Sequence, residues 1–261
     1  MSSLSVKRTT RSLGLALLAS AVLAAPAALP ARAQDDEANK PAITGGVEMD
    51  VNSRYVWRGI PFSKAAVLQP SAWVTWKDFT LTAWGNYPLT KEANQGTFNE
   101  ADLYLNYSHS FGKLTVKPGL YFYSYPNQHG VAGTTEAELK FCYPVGSMTA
   151  YTTHTFDVGH FSGAYYGDLG ITHSKNLGPK TTCDTGISVA WGSSKFMDAY
   201  TGLPKGGLGA ITASLGFRHA LGHGFYLRPH LCYSRLMDKD IRRQVHEGSL
   251  FTGGVALGWE F

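Results

Sequence analysis

The sequence predicts an all-β chain, a transmembrane up-and-down antiparallel β-barrel of about twelve strands. Three observations predict it. First, the chain ends on an alternating run. Val255, Leu257, Trp259 and Phe261 share one face, while Thr252, Gly254, Ala256, Gly258 and Glu260 share the other. A strand that is apolar on one face and small or polar on the other suits a lipid-facing wall around a lumen. Second, alternation of this kind continues from Thr44 to the end, and the connections between runs are by turns long and short, as in barrels with short periplasmic turns and longer outer loops. Third, the chain opens on a leader. Lys7, Arg8 and Arg11 precede an apolar run from Leu13 to Ala24, and Ala31-Arg32-Ala33 stands before Gln34. This is the pattern of a secretory signal peptide. The expectation is cleavage after Ala33, a barrel domain over 34–261, and location in the bacterial outer membrane.

Composition agrees. Beyond the leader no stretch of about 18 apolar residues offers a transmembrane helix. Twenty-nine glycines and 13% aromatic residues suit many short strands joined by tight turns. The leader carries four of the 23 basic residues and no acid, which leaves 19 basic against 19 acidic residues and no net charge. A nucleic-acid partner is therefore excluded from the expectation.

The strands centre on 46–58, 67–77, 79–88, 99–111, 113–125, 134–144, 147–157, 163–175, 181–192, 207–219, 224–236 and 249–261. Each is near the length, roughly nine to eleven residues, that crosses a bilayer at a steep tilt. Ten or fourteen strands need only modest boundary shifts. In the first strand Val47, Met49, Val51, Tyr55 and Trp57 take the lipid-facing parity, and Glu48, Asp50, Asn52, Arg54 and Arg58 the inward one. Short turns fall at Lys77-Asp78, Gly112, Val145-Gly146, Asn176–Lys180 and Ala220–His223. Long loops fall at Gly59–Ala66, Leu89–Phe98, Pro126–Gly133, Val158–Ser162, Ser193–Gly206 and Met237–Gly248. The last two are the longest and are expected to cap or narrow the outer mouth, since function concentrates on long loops. Tyr55, Trp57, Trp76, Phe79, Phe111, Tyr143, Trp191, Phe217, Phe225, Trp259 and Phe261 lie near strand ends, where aromatic girdles meet the membrane interfaces. Cys142 and Cys232 fall on the inward parity and Cys183 on the outward one. A Cys142–Cys232 bridge and three packed thiols both fit.

Three segments carry a family resemblance. Ser53-Arg54-Tyr55-Val56-Trp57-Arg58-Gly59, Glu100-Ala101-Asp102-Leu103-Tyr104-Leu105-Asn106-Tyr107 and Gly163 to Ser174 follow one another in an order that resembles the TorF-type porin family of small Gram-negative outer-membrane barrels. Gly119 to Pro126 is similar to that family's aromatic strand before its third loop. The resemblance implies a barrel in the outer membrane and carries no catalytic residue with it. It also implies that the terminus with Val255, Leu257, Trp259 and Phe261 is read by the barrel assembly machinery as an insertion signal.

The inward parity is ionic. Arg54, Arg58, Glu100, Asp102, Lys117, Glu136 and Glu138 are the expected lumen-lining set, with Lys117 between two acidic strands and Glu260 closing against the strand of Arg54 and Arg58. As a water-filled pore, these charges tune passage of small hydrophilic solutes or ions. As a plugged barrel, they pair and hold a structural or loop-binding protein together, because smaller barrels fill with side chains. An outer-membrane lipid hydrolase is the rival class, but His173-Ser174 and His109-Ser110 point to opposite faces of a strand. His154 with Ser162 or Ser174 is the remaining pair. The histidines are scattered without metal-ligand spacing. A surface metal at His129, Asp157 and His160 is the weaker alternative. No cofactor, metal or catalytic residue is expected, and the expected partners are outer-membrane lipid, the assembly machinery and small solutes.

Overall fold

The computed structural model describes residues 43–90 and 94–261. The leader and its cleavage site lie outside the described residues. The elements in chain order are β1 (Ile43–Asn52), β2 (Val56–Trp57), β3 (Ile60–Pro61), β4 (Val67–Trp76), β5 (Phe79–Pro88), β6 (Glu100–Tyr107), β7 (His109–Phe111) and β8 (Leu114–Ser124). They continue with β9 (Thr134–Val145), β10 (Met148–Asp157), β11 (Tyr165–Asn176), β12 (Thr181–Gly192), α1 (Ser194–Thr201), β13 (Gly207–Gly222), β14 (Phe225–Leu236), α2 (Lys239–Gln244) and β15 (Ser249–Glu260).

The wall is a closed antiparallel ring. Each wall strand pairs with its sequence neighbours, β6 and β7 form one strand broken at Ser108, and β1 closes on β15 from Gly46↔Glu260 to Asn52↔Gly254. The ring therefore has twelve strands. Closure satisfies the edge groups that an open sheet cannot leave in lipid. Short turns sit at one end. At Gly112 (φ +61°) and Gly146 (φ +61°) the first central residue of a two-residue hairpin takes positive φ, which a type II′ turn requires and glycine allows.

The outward face is apolar and uncovered. Val47, Met49, Val51, Leu103, Leu120, Phe122, Leu139, Leu169, Ile187, Val255 and Leu257 are all exposed. A soluble sandwich has to cover such a face with a second sheet, whereas the outward wall of a transmembrane barrel is apolar and bare of other protein. Trp76, Phe79, Phe111, Tyr143, Phe225 and Phe261 stand exposed at the short-turn end, with Trp259 half-buried between Phe225 and Phe261. Phe156, Tyr233 and Phe251 stand exposed toward the loop end.

The first strand is shorter than its alternation predicts. β1 stops at Asn52, and the last wall contact is the Ser53 N–H donating to Gly253 O at 2.9 Å. The chain then turns into the barrel and forms the small hairpin β2–β3. The hairpin base is closed by Phe62 N–H to Tyr55 O (2.9 Å) and Tyr55 N–H to Ser63 Oγ (2.8 Å). Its tip is Arg58-Gly59, both at positive φ (+50° and +78°). Two positive φ values make a type I′ turn, the twist that fits a two-residue hairpin. Tyr55 (3% exposed) and Trp57 (2%) are therefore not girdle residues facing lipid but the centre of an interior core. Alternating aromatics fit either environment, so parity alone misassigned them.

The two longest loops carry short helices that the alternation did not predict. α1 is capped by Ser193, whose Oγ accepts from Phe196 N–H, and ends at Gly202 (φ +71°). It packs Phe196 and Tyr200 against Trp57 of the hairpin and Met197 against the wall at Gly192 and Gly209. α2 is capped by Asp238 and buries Ile241. Hairpin, helices and wall share one apolar cluster that includes Tyr55, Trp57, Ile60, Trp84, Tyr104, Tyr123, Phe196, Tyr200, Leu236 and Ile241. The loop-side half of the barrel is filled.

Candidate functional site: the charged lumen

The inward face divides into two levels. At the loop side the hairpin tip drives Arg58 across the interior to Glu136 on β9. Arg58 Nη1 donates to Glu136 Oε1 at 2.9 Å and Nη2 to Oε2 at 2.8 Å. The guanidinium lies 4.0 Å from the Trp57 ring centroid and 4.2 Å from that of Tyr166. Tyr123 Oη also donates to Glu136 Oε2, at 2.8 Å. A desolvated ion pair is stable only with such geometry and with its remaining acceptors satisfied.

Beside it, Tyr55 Oη donates to Glu100 Oε2 (3.1 Å) and Tyr104 Oη to Asp102 Oδ2 (2.6 Å). Glu100 is fully buried, and its Oε1 has no hydrogen-bond partner. Glu138, one step toward the short-turn side, accepts from Tyr121 Oη at 2.6 Å. A ladder of amides runs round the wall at this level. Asn52 Nδ2 donates to Gln69 Oε1 (3.0 Å), Gln69 Nε2 to Asn86 Oδ1 (3.0 Å) and Asn86 Nδ2 to Asn99 Oδ1 (2.8 Å).

At the short-turn side the interior is only partly covered, and acids and bases pair along the wall. Arg228 Nη2 meets Glu48 Oε1 at 2.6 Å, His230 Nε2 lies 3.0 Å from Asp50 Oδ1, and Arg218 Nη2 meets Glu260 Oε2 at 2.5 Å. Lys140 lies over the Tyr151 ring at 4.4 Å, and Lys117 stands directly across from it on β8.

The seven residues expected to line the lumen thus fall in three places. Arg58, Glu100, Asp102 and Glu136 gather at the filled level, with Glu138 just below. Arg54 is not on the first strand: it lies beyond β1, where its Nη1 meets Glu247 Oε1 at 2.6 Å. Lys117 stands on β8 between the acidic strands β6 and β9, as expected, but its register partner on β9 is Lys140 and not Glu136 or Glu138. Glu260 closes beside β1 but pairs with Arg218, since Arg54 and Arg58 have left the wall. Parity reasoning missed the Arg228–Glu48 and Arg218–Glu260 pairings, which depend on strand stagger that sequence does not carry.

The specific pairs weighed for rival chemistries do not meet among the described residues. His154 Nδ1 lies 2.9 Å from Tyr165 Oη and its Nε2 3.4 Å from Thr152 Oγ1, not beside Ser162 or Ser174. His173 Nδ1 lies 2.8 Å from the backbone oxygen of Ser147. No group of three metal-ligating side chains forms among these residues, and Cys142, Cys183 and Cys232 are all free thiols, so the Cys142–Cys232 bridge is absent.

Comparison with solved structures defines the class. The chain is similar in fold to the KdgM porin, with a TM-score of 0.52 at 10% identity over 83% of this chain and 99% of that one. It is similar to the NanC porin, with a TM-score of 0.52 at 14% identity over 82% and 97%. The KdgM porin in complex with disordered oligogalacturonate gives 0.51 at 9% identity over 84% and 99%. The fold is thus that of a small outer-membrane β-barrel, with nearly the whole of each of those chains matched. No protein-family model and no curated protein matches the sequence.

Proposed function

We propose that this chain is a porin-like outer-membrane barrel giving passive passage to small hydrophilic solutes or ions, with the hairpin 53–66 setting the narrowest point. The observation that carries this reading is the two-level lumen. A partly covered, mixed-charge level holds Glu48, Asp50, Lys117, Lys140, Arg218 and Arg228. It leads to a tight level where Arg58, Glu100, Asp102, Glu136 and Glu138 converge. Fixed charges at a constriction select permeants by field and not by covalent chemistry. Among the described residues the signs are mixed, and no single-sign track runs the length of the interior. That favours small solutes over long acidic chains such as the oligogalacturonate bound by the KdgM porin. The ordered segments that resemble TorF-type porins agree with this reading.

A second reading has its own observation. Tyr55, Trp57, Tyr104 and Glu100 are sealed from solvent, as in a plugged barrel that works through its outer loops. Single-channel conductance of the refolded chain in a planar bilayer separates the two. Steady conductance whose ion selectivity moves toward cations in Lys117→Glu supports a pore with residue 117 on its path. A folded, heat-modifiable barrel that stays silent assigns the plugged role.

A further inference from the structure

The outer rim carries a concave basic patch that the lumen does not use. Arg235, Lys239, Arg242, Arg243 and His246 line an open pocket of about 630 Å³ beside Gly248 and Ser249, with Glu247 as its acid. The acids nearby already have basic partners, Arg243 of the patch among them. Glu247 is held by Arg54 at 2.6 Å, Asp238 by Lys205 at 2.7 Å, and Asp240 by Lys205 at 2.7 Å and Arg243 at 3.6 Å. Among the described residues, Arg235, Lys239 and Arg242 have no carboxylate within ion-pair distance.

The patch is anchored to the wall. Arg242 Nη1 donates to the backbone oxygens of Leu236 and Met237, each at 2.7 Å, which fixes one guanidinium at the strand–loop junction. Arg235 Nη1 donates to Ser249 Oγ at 3.0 Å. Arg235 stands on β14 with the parity of Leu231 and Tyr233, both exposed on the lipid face, and the neighbouring strand presents Phe251 at 64% exposure. The basic cluster therefore begins where the aromatic band ends, on the loop side, with Arg235 at its lipid-facing edge and Glu247 reaching across to Arg54. Guanidinium groups fixed on such a rim match phosphate geometry.

We propose that this patch binds the phosphate groups of a phosphorylated glycolipid in the outer leaflet. The inference rests on the outer-membrane reading. The lipid is favoured over a free anion because Arg235, on the lipid-facing parity next to exposed Tyr233 and Phe251, sets the edge of the patch at headgroup depth.

The test is binding of purified bisphosphorylated lipid A to the full chain folded in detergent, read by native mass spectrometry. Each basic side chain near an anionic surface adds roughly fivefold in affinity, so Arg235→Ser with Lys239→Ser and Arg243→Ser should together weaken binding about a hundredfold. Dephosphorylated lipid A should bind wild type as weakly as the phosphorylated form binds the triple variant. If the triple variant fails to fold, Arg243→Ser alone serves, since that side chain is 78% exposed. Equal binding of the two lipids by wild type, or full displacement by millimolar inorganic phosphate, would overturn the proposal. Heat-modifiable insertion into phosphatidylcholine vesicles is scored separately, so a failed barrel reading is told apart from a failed lipid site.

Discussion

Arg58 and Glu136 face each other across the barrel interior, joined by two parallel hydrogen bonds of 2.9 and 2.8 Å, with β4, β5, β6 and β8 between their parts of the wall. The pair is buried and is the polar contact that pins the hairpin tip to the far wall. Removing one partner of a buried ion pair costs about 3–5 kcal/mol, because the other is left charged and dry. Glu136→Gln should therefore loosen the hairpin without unfolding the wall. Amide exchange over 54–63 should quicken while that of the wall strands holds. If the barrel is a pore, its conductance should rise. Unchanged exchange in the hairpin would mean that its aromatic contacts alone hold it.

The hairpin also depends on Gly59. Its φ of +78° disfavours a side chain, and an added Cβ would fall 2.5 Å from Ala210 Cβ on β13. Gly59→Ala should displace the tip, with about 1–2 kcal/mol from the backbone alone and more from the contact. Ala210→Gly in the same chain removes the contact but not the backbone cost, so it should restore only part of the hairpin's exchange protection. Full restoration, or none, would show that one of these two causes is absent.

How far the sequence was legible follows from what these two residues do. The ring of strands was readable because most wall residues obey a period of two, with breaks at Ser108 and at the shifts near Ala190 and Leu221, and a barrel wall in lipid needs one apolar face, so Val47, Met49 and Val51 announce β1. The hairpin was not readable from the same rule. Tyr55 and Trp57 continue the parity of Val51, and an aromatic is at home both at a membrane interface and in a packed interior. Two local signals stood against the longer strand. A run of 46–58 exceeds the span a wall strand needs, and Arg58-Gly59 is a workable hairpin tip. Within the lumen, residue types and facing were legible, but partners were not. Stagger between strands decides that Lys117 meets Lys140 and that Glu260 meets Arg218, and stagger is set by turns and closure acting together.

The rim helix α2 gives a pH-dependent element. Lys205 holds Asp238 and Asp240 at 2.7 Å each. Its hydrogen bond, aided by the backbone N–H groups of Ile241 and Asp240, draws the Asp238 carboxyl down to about 2. A carboxyl depressed in the folded chain contributes stability above its ordinary value near 3.8. That contribution is lost as pH falls through the depressed value, so the window runs from about 4 to 2. Amide protection over 239–244 should decline through that window in wild type. In Lys205→Met the decline should begin at higher pH. Both aspartates lie in the rim loop and outside the wall, so the effect should stay confined to the loop and leave barrel heat-modifiability unchanged. Loss of the whole barrel over the same window would assign the acid sensitivity to the lumen charges instead.

The facing of the last strand makes the most direct test of the membrane reading. Val255 and Leu257 are 48% and 50% exposed on β15, while Ala256 between them is sealed inside. Their neighbours on β1, Val51 and Met49, are equally bare. A lysine or arginine on the lipid face costs about 2–4 kcal/mol at mid-membrane and little near the interfaces. Val255→Arg and Leu257→Arg should each reduce the fraction of heat-modifiable, vesicle-inserted protein by that order. Glu260→Gln, on the inward face with Arg218, should insert normally, since it changes no lipid contact. Equal insertion by the arginine variants and wild type would put water where this fold requires lipid.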